Sequence, residues 1–382
     1  MKMYLMTPGP TPVAPETLLA MAQPVLHHRS PQFMAILEEV RQGLKYLFET
    51  EQEVLMFAAT GTGAMEGAVA NLLSPGDGAL VVDGGKFGER WTELCNVYGV
   101  KAERLAVEWG HAVKPEDVAH LLDAHPQIKA VFVQANETST GVQHPVRELA
   151  EVTKSRPGTI LVVDAISALG GYELPMDAWG LDVVVAGSQK AMMLPPGLAF
   201  AALSAKAWEF VKAAKLPKYY FDFAKQLKSQ QKNQTPYTSA VSLTLGLQEV
   251  LARIRKEGLP KIYARNRRLS AATQAAMAAM GLQLYARENP SVVVTAVEAP
   301  PGIDGQKVVS RLREKYGIWI AGGQAQAKGK IFRIAHMGYI ETMDLLNTVA
   351  GLEMVLNELG YQVELGVGVR AAEEILGKEA GA

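Results

Sequence analysis

A chain of 382 residues, 48% of them hydrophobic, can bury more than one compact core, and two domains are expected. With 38 Lys and Arg against 39 Asp and Glu the net charge is −1, so no overall field draws the chain to nucleic acid or to an anionic membrane. A single cysteine, Cys95, excludes an internal disulfide framework and a cysteine-built metal cage.

In chain order, Met1-Lys2-Met3-Tyr4 runs into Thr7-Pro-Gly-Pro-Thr-Pro12 without the apolar stretch of a signal peptide. No apolar run is long enough to span a bilayer, so the expectation is a cytoplasmic protein with no membrane and no nucleic-acid partner. From about residue 54 to 205 short β-branched runs alternate with helical stretches, the pattern of a mostly parallel sheet covered on both faces. The predicted strands are Val54–Phe57, Ala79–Val82, Lys101–Leu105, Ala130–Gln134, Ile160–Asp164, Asp182–Ala186 and Leu198–Leu203, seven in all. Several are apolar at successive positions, as strands buried on both faces are. Helices are predicted near 63–73, 88–98, 115–124 and 146–154. The third opens on Pro115-Glu116-Asp117, a proline and two acids suited to a first turn. A long helical region, Val241–Met280, is broken at Gly258-Leu259-Pro260. After it come a strand (Ser291–Val297), a helix (Gly305–Lys315), strands Ile318–Ala321 and Ile331–His336, and a helix (Met343–Leu359). This is the pattern of a smaller α+β domain. Beyond Gly366 a partly ordered helical tail is expected.

Lys190 follows a buried strand, beside Gly187 and Ser188 and ahead of the bend Pro195-Pro196-Gly197. A lysine at the carboxyl edge of a parallel strand faces the crevice where such sheets bind ligands, and burial there lowers its pKa toward nucleophilic service. That is the place for a Schiff-base lysine, although most lysines in such a position are solvated surface residues. Asp164, 26 residues upstream, ends another buried strand, so its carboxylate emerges at the same edge. A carboxylate facing a pyridine nitrogen keeps it protonated and makes the ring an electron sink; alone, such an aspartate is as often a turn cap.

Ala58-Ala-Thr-Gly-Thr-Gly-Ala-Met-Glu66 sets small residues between a strand and a helix. Backbone N–H groups there, with the hydroxyls of Thr60 and Thr62, form an anion site suited to phosphate. It is neither a dinucleotide fingerprint nor a P-loop. Phe87, on the glycine-flanked turn Gly84–Arg90, can lie flat against a heteroaromatic ring, though core packing is its commoner use. Arg333 alternates with apolar residues in Ile331–Ala335 and is suited to clamp a carboxylate from the cleft between domains.

The order and spacing of these elements resemble the class V aminotransferases of pyridoxal-5′-phosphate (PLP) fold type I, in the alanine–glyoxylate and serine–glyoxylate (serine–pyruvate) branch. The resemblance runs from Thr7–Pro12 and His27-His-Arg-Ser-Pro31 to Phe332-Arg-Ile334. Its most specific parts are the Asp164-to-Lys190 spacing with Ser188-Gln-Lys190, the Gly85–Arg90 turn and Asn136-Glu-Thr-Ser-Thr-Gly141. It implies a large α/β domain over 15–255 and a small α+β domain from 1–14 plus 256–382. It also implies PLP as cofactor, with Lys190 as the Schiff-base and proton-shuttling lysine and Asp164 at the pyridine nitrogen. Phe87 and Ile166 would flank the ring; Thr60, Gly61, Thr62 and Gln189 would hold the phosphate, and Thr138 would reach the ring oxygen. Arg333, with the Gly9 backbone nearby, would bind the substrate carboxylate. A homodimer with a shared site follows, Thr235 and Thr238 from Gln234-Thr-Pro-Tyr-Thr-Ser239 serving the neighbouring subunit. Two departures stand out: Ala59 where relatives carry glycine, and Thr62 where some carry histidine.

The expected reaction is ping-pong transfer of an amino group from a small amino acid, serine or alanine, to a 2-oxo acid, glyoxylate or pyruvate. No second arginine for a distal carboxylate stands out, which disfavours aspartate or glutamate as donor. A cysteine desulfurase would need a nucleophilic cysteine on a mobile loop, whereas Cys95 falls in a predicted helix. The same scaffold also admits a PLP lyase, or a non-catalytic subunit of the kind labelled the small subunit of a soluble hydrogenase.

Overall fold

A computed structural model describes residues 2–378. Seven strands form the central sheet: β1 (Val54–Phe57), β2 (Gly78–Asp83), β3 (Lys101–Ala106), β4 (Ile128–Gln134), β5 (Ile160–Asp164), β6 (Val183–Gly187) and β7 (Ala199–Leu203). Their spatial order is β1-β7-β6-β5-β4-β2-β3. Pairing is parallel from β6 through β5, β4 and β2 to β3, while β7 lies antiparallel to both its neighbours. Every residue of β1, β5, β6 and β7 is buried, so their continuous apolar runs serve two cores at once.

Alternate residues split between those cores. Met56, Val82, Val133, Val163 and Val184 point to one, under the helices Pro31–Phe48 and Val241–Glu257; Phe57, Val81, Phe132, Val162 and Val185 point to the other, under Gly61–Leu72 and Lys86–Val97. The edge strand β3 carries Lys101, Glu103 and Arg104, charges that discourage further pairing. Helix Pro31–Phe48, absent from the predicted elements, is nonetheless amphipathic, burying Phe33, Leu37, Val40, Leu44 and Leu47. Ser30 accepts from Phe33 N and Pro31 opens the first turn.

Gly258, with φ +87°, separates Val241–Glu257 from Leu259–Ala279 where the break is expected. The second of these helices starts in the large core, with Leu259, Ile262 and Tyr263, and ends in a separate one with Leu269, Ala276 and Met277. That separate core lies under β8 (Val294–Glu298), β9 (Ala321–Gly322) and β10 (Ile331–Ala335), in the order β8-β10-β9 and antiparallel throughout.

Most predicted strands lie within two residues of the observed ones, and two depart further. The strand predicted from Ser291 starts at Val294, because Ser291 Oγ accepts from the N–H groups of Val293 and Val294 and holds a turn. The strand predicted over Ile318–Ala321 is two pieces. Ile318–Trp319 pairs with the N-terminal Tyr4–Leu5, then the chain turns at buried Ile320 and Ala321–Gly322 pairs with β10. The N-terminal segment thus joins the smaller core, and Ala335 N donates to Met6 O at 2.9 Å. Past Gly366 the helix Val367–Leu376 is anchored by buried Glu353, whose carboxylate accepts from the N–H groups of Gly366, Gly368 and Val369. No helix among the described residues is long and apolar enough to cross a membrane.

Candidate active site

Because β4, β5 and β6 run parallel, the residues following their last positions meet at one edge. There Gly61, Thr62, Phe87, Thr138, Asp164, Ile166, Gln189 and Lys190 line a single cavity, together with Arg90, Asn136 and Ser167. Thr60 takes the extended N-cap position of the helix Gly61–Leu72, next to the cavity wall. A Cβ on Gly61 would lie 2.5 Å from Ile166 Cδ1, so glycine is what lets the phosphate-type turn and Ile166 share this space.

Lys190 Nζ donates to the carbonyl of Pro8, and a Cβ on Gly9 would collide with the amine. Thr11 holds the same lysine from its other end: its N–H donates to Gln189 O at 3.1 Å and its Oγ1 to Lys190 O at 2.7 Å. Burial brings the lysine down to about 8, with the Asp164 charge opposing the fall and those of Arg333 and Arg90 adding to it. Burial pushes Asp164 up to about 6, against the Ile166 N–H bond (2.8 Å) and Arg90, which favour the carboxylate. At neutral pH Asp164 is therefore an anion beside a lysine that is partly neutral.

Arg333 stands on β10 and is 4% exposed. Its Nε and Nη2 donate to Gly322 O (3.1 and 2.7 Å), and Nη1 donates to Thr138 O (3.0 Å). Among the described residues three of the five guanidinium N–H groups are engaged, which leaves one on each terminal nitrogen for a further acceptor. Burial lowers its pKa to about 10, with Glu137 opposing, so it stays a cation at neutral pH.

Thr235 and Thr238 lie elsewhere on the chain, lining a different cleft with Met56, Tyr220 and Tyr237. Sequence inspection overlooked Arg90, Asn136, Ser167 and the Pro8 carbonyl. Arg90 was within reach: it falls three residues after Phe87 on one helix, hence on the same face. Its guanidinium sits 5.0 Å from the Phe87 ring centre and donates to Thr62 Oγ1 at 3.3 Å. A second arginine does therefore stand at the cavity, contrary to the expectation of one, although Thr62 and Phe87 already engage it. Asn136, Thr138 and Ser167 form one polar network: Asn136 Nδ2 donates to Ser167 Oγ (3.0 Å), which lies 2.8 Å from Thr138 Oγ1.

A buried lysine at a parallel-sheet edge, an ionised aspartate beside it and an arginine on a strand over the smaller core fit an aminotransferase of the PLP fold type I class. The model of the family Aminotransferase class-V matches residues 3–343, and the chain belongs to that family. It is 45% identical to the "soluble hydrogenase, small subunit" of Synechococcus sp. (strain PCC 6716) over 98% of each chain. It is 38% identical to the L-aspartate–glyoxylate aminotransferase of Paracoccus denitrificans, covering 96% of this chain and 94% of that one. Among solved structures, ureidoglycine–glyoxylate aminotransferase from Bacillus subtilis superposes with a TM-score of 0.94 at 31% identity, over 99% of both chains.

Proposed function

We propose that this chain transfers the amino group of serine or alanine to glyoxylate or pyruvate, working in the cytoplasm as a homodimer with PLP. One observation carries this reading: Lys190 and Asp164 line one cavity, and Arg333, bonded to the carbonyl of the lining residue Thr138, stands near enough for its charge to act on Lys190. The cavity suits the cofactor: the N-terminus of helix Gly61–Leu72 and Thr62 meet it on the side an anion would need, Lys190 and Asp164 line it as well, and Gly61 keeps the turn beneath Ile166 open. Bound PLP supplies an aldehyde carbon that carries the amino group and a protonated ring that accepts the electrons released at the substrate Cα.

The chain's own residues supply the rest. Asp164 holds a proton on the ring nitrogen; Phe87 and Ile166 wall the two ring faces; Thr138 reaches the ring oxygen. Thr60, Gly61, Thr62 and Gln189 hold the phosphate, with Thr235 and Thr238 of the second copy completing it. Arg333 fixes the substrate carboxylate beside Gly9, from the small domain (1–14 plus 256–382) across to the large one (15–255). Lys190 accepts the Cα proton as a free amine and returns one on the far side of the transfer, a role favoured by a pKa near working pH. Arg90 donates to Thr62, one of the proposed phosphate holders, and lies against Phe87; its place on the cofactor side of the proposed site supports a donor whose one carboxylate meets Arg333.

The test is a panel of amino donors (serine, alanine, aspartate, ureidoglycine) assayed with glyoxylate and with pyruvate after loading with PLP. Serine or alanine should give the highest kcat/KM, and Lys190→Ala should lose both turnover and the visible absorption band. Aspartate as preferred donor would overturn the substrate assignment. A protein that takes up PLP yet converts no donor would favour the other reading, a non-catalytic partner subunit; the 45% identical relative is itself named as a subunit of a soluble hydrogenase.

A further inference from the structure

Glu137 is fully buried and does not line the cavity. It stands between the helix that brings Phe87 and Arg90 to the cavity, its own loop with Asn136 and Thr138, and the strand that carries Arg333. Its Oε2 accepts from the N–H groups of Phe87 and Gly88, both at 3.1 Å. Its Oε1 accepts from Ser139 N at 3.1 Å and from Ser139 Oγ, and that hydroxyl in turn accepts from Lys86 N at 3.0 Å. Lys86, Phe87 and Gly88 are the first three residues of helix Lys86–Val97, whose own N-cap, Gly85, offers no side chain. Three of the orphan N–H groups of that helix are therefore met from outside, by Glu137 and its neighbour Ser139. Gly85 makes this possible, since a Cβ there would collide with the Glu137 carboxyl. On the other side, the adjacent Thr138 carries the carbonyl that receives Arg333 Nη1, and the Glu137 charge favours the Arg333 cation.

We infer that Glu137 is a positioning residue: one carboxylate out of reach of substrate sets the Phe87 ring, Thr138 and Arg333 in register, and carboxylate affinity depends on it. This rests on the proposed PLP site. Its chemistry is demanding, because all four bonds run from donors to a group that accepts at both oxygens. In Glu137→Gln the amide NH2 must face backbone N–H groups whichever way it is turned, those of Phe87 and Gly88 or that of Ser139. Neither can rotate away. The turn and the Asn136–Gly141 loop then move apart, and displacements on the order of 1 Å in a positioning shell cost up to about a hundredfold.

The experiment compares wild type, Glu137→Gln, Glu137→Asp and Glu353→Gln. The last is a control that loses a buried carboxylate accepting three backbone N–H groups far from the cavity. Hydrogen exchange of the peptides spanning 84–92 and 136–141 is read on the protein without cofactor. The KM for glyoxylate, kcat and the visible circular dichroism of bound PLP are read on the loaded enzyme. Glu137→Gln is expected to lose protection in both peptides, alter the dichroism and raise KM by about tenfold or more, with Glu137→Asp intermediate. Glu353→Gln should lower the melting temperature and leave KM and dichroism at wild-type values. Should Glu137→Gln not fold, Ser139→Ala, which removes the acceptor of Lys86 N–H, should move the same readouts in the same direction. KM, dichroism and exchange unchanged in the Glu137 or Ser139 variant would overturn the inference. Wild type that takes up no PLP but shows the exchange effect in Glu137→Gln would instead overturn the proposed site, leaving the link between the two loops standing.

Discussion

Lys190 titrates near 8 because it is buried, where an ordinary lysine titrates near 10.5. A fall of that size corresponds to about 3 kcal/mol against the charged form. At pH 7.5 about a quarter of the amine is then neutral, against about one part in a thousand for a solvated lysine. Competitive labelling with acetic anhydride, read on the Lys190 peptide by mass spectrometry over pH 6 to 11, measures this directly in the protein without cofactor. Reactivity should level off above about pH 9, with a midpoint near 8. The neighbours fix the signs of two variants. Asp164 favours the ammonium, so Asp164→Asn should move the midpoint down; Arg333 disfavours it, so Arg333→Ala should move it up. A wild-type midpoint near that of free lysine, or both variants moving the same way, would refute the electrostatic account. Linkage gives a second sign. Between about 8 and 10.5 the unfolded chain holds a proton that the native chain lacks, so this lysine costs stability in full below pH 8. The cost fades as pH rises to 10.5.

Arg333→Lys keeps the charge but not the paired N–H groups, and should raise KM for amino and oxo substrates alike by about tenfold or more, measured by steady-state kinetics. Glu353→Gln leaves backbone N–H groups of Gly366, Gly368 or Val369 without an acceptor and should lower unfolding free energy by about 1–3 kcal/mol, read from urea midpoints, with earlier proteolysis of the last helix. His144 is buried and neutral, held down to about 4, while its Nδ1 accepts from Val113 N. The unfolded chain binds that proton from about pH 6.5 downward, so stability is lost as pH falls from there toward 4. His144→Asn should lose less stability than wild type between pH 7 and pH 4.5. Glu137 and Asp164, raised to about 7 and 6, act in the opposite direction but equally in both proteins. Equal losses in the two proteins would remove His144 from the acid limb.

The sequence by itself was enough to place the seven strands of the large sheet and the residues at their carboxyl ends. Four of those strands are buried throughout and read as unbroken apolar runs, and parallel pairing sends the loops that follow β4, β5 and β6 to one edge. Lys190, Asp164 and the turn at Gly61 were legible for that reason. Other contacts join residues far apart in the chain through backbone atoms that side-chain identity does not mark. Lys190 meets the Pro8 carbonyl only because Tyr4–Leu5 pairs with Ile318–Trp319 and brings the N-terminus to the site. Arg333, on β10, reaches Thr138 O, 195 positions earlier in the chain. Glu137 belongs to a motif visible in sequence, but its role as an outside cap for the Phe87 helix depends on β2 and β4 lying side by side in the sheet. Strand ends are dictated locally, by which residues can be buried. The bonds that tune them are decided by tertiary packing, because a carbonyl or an orphan N–H carries no sequence signature until another element is laid against it.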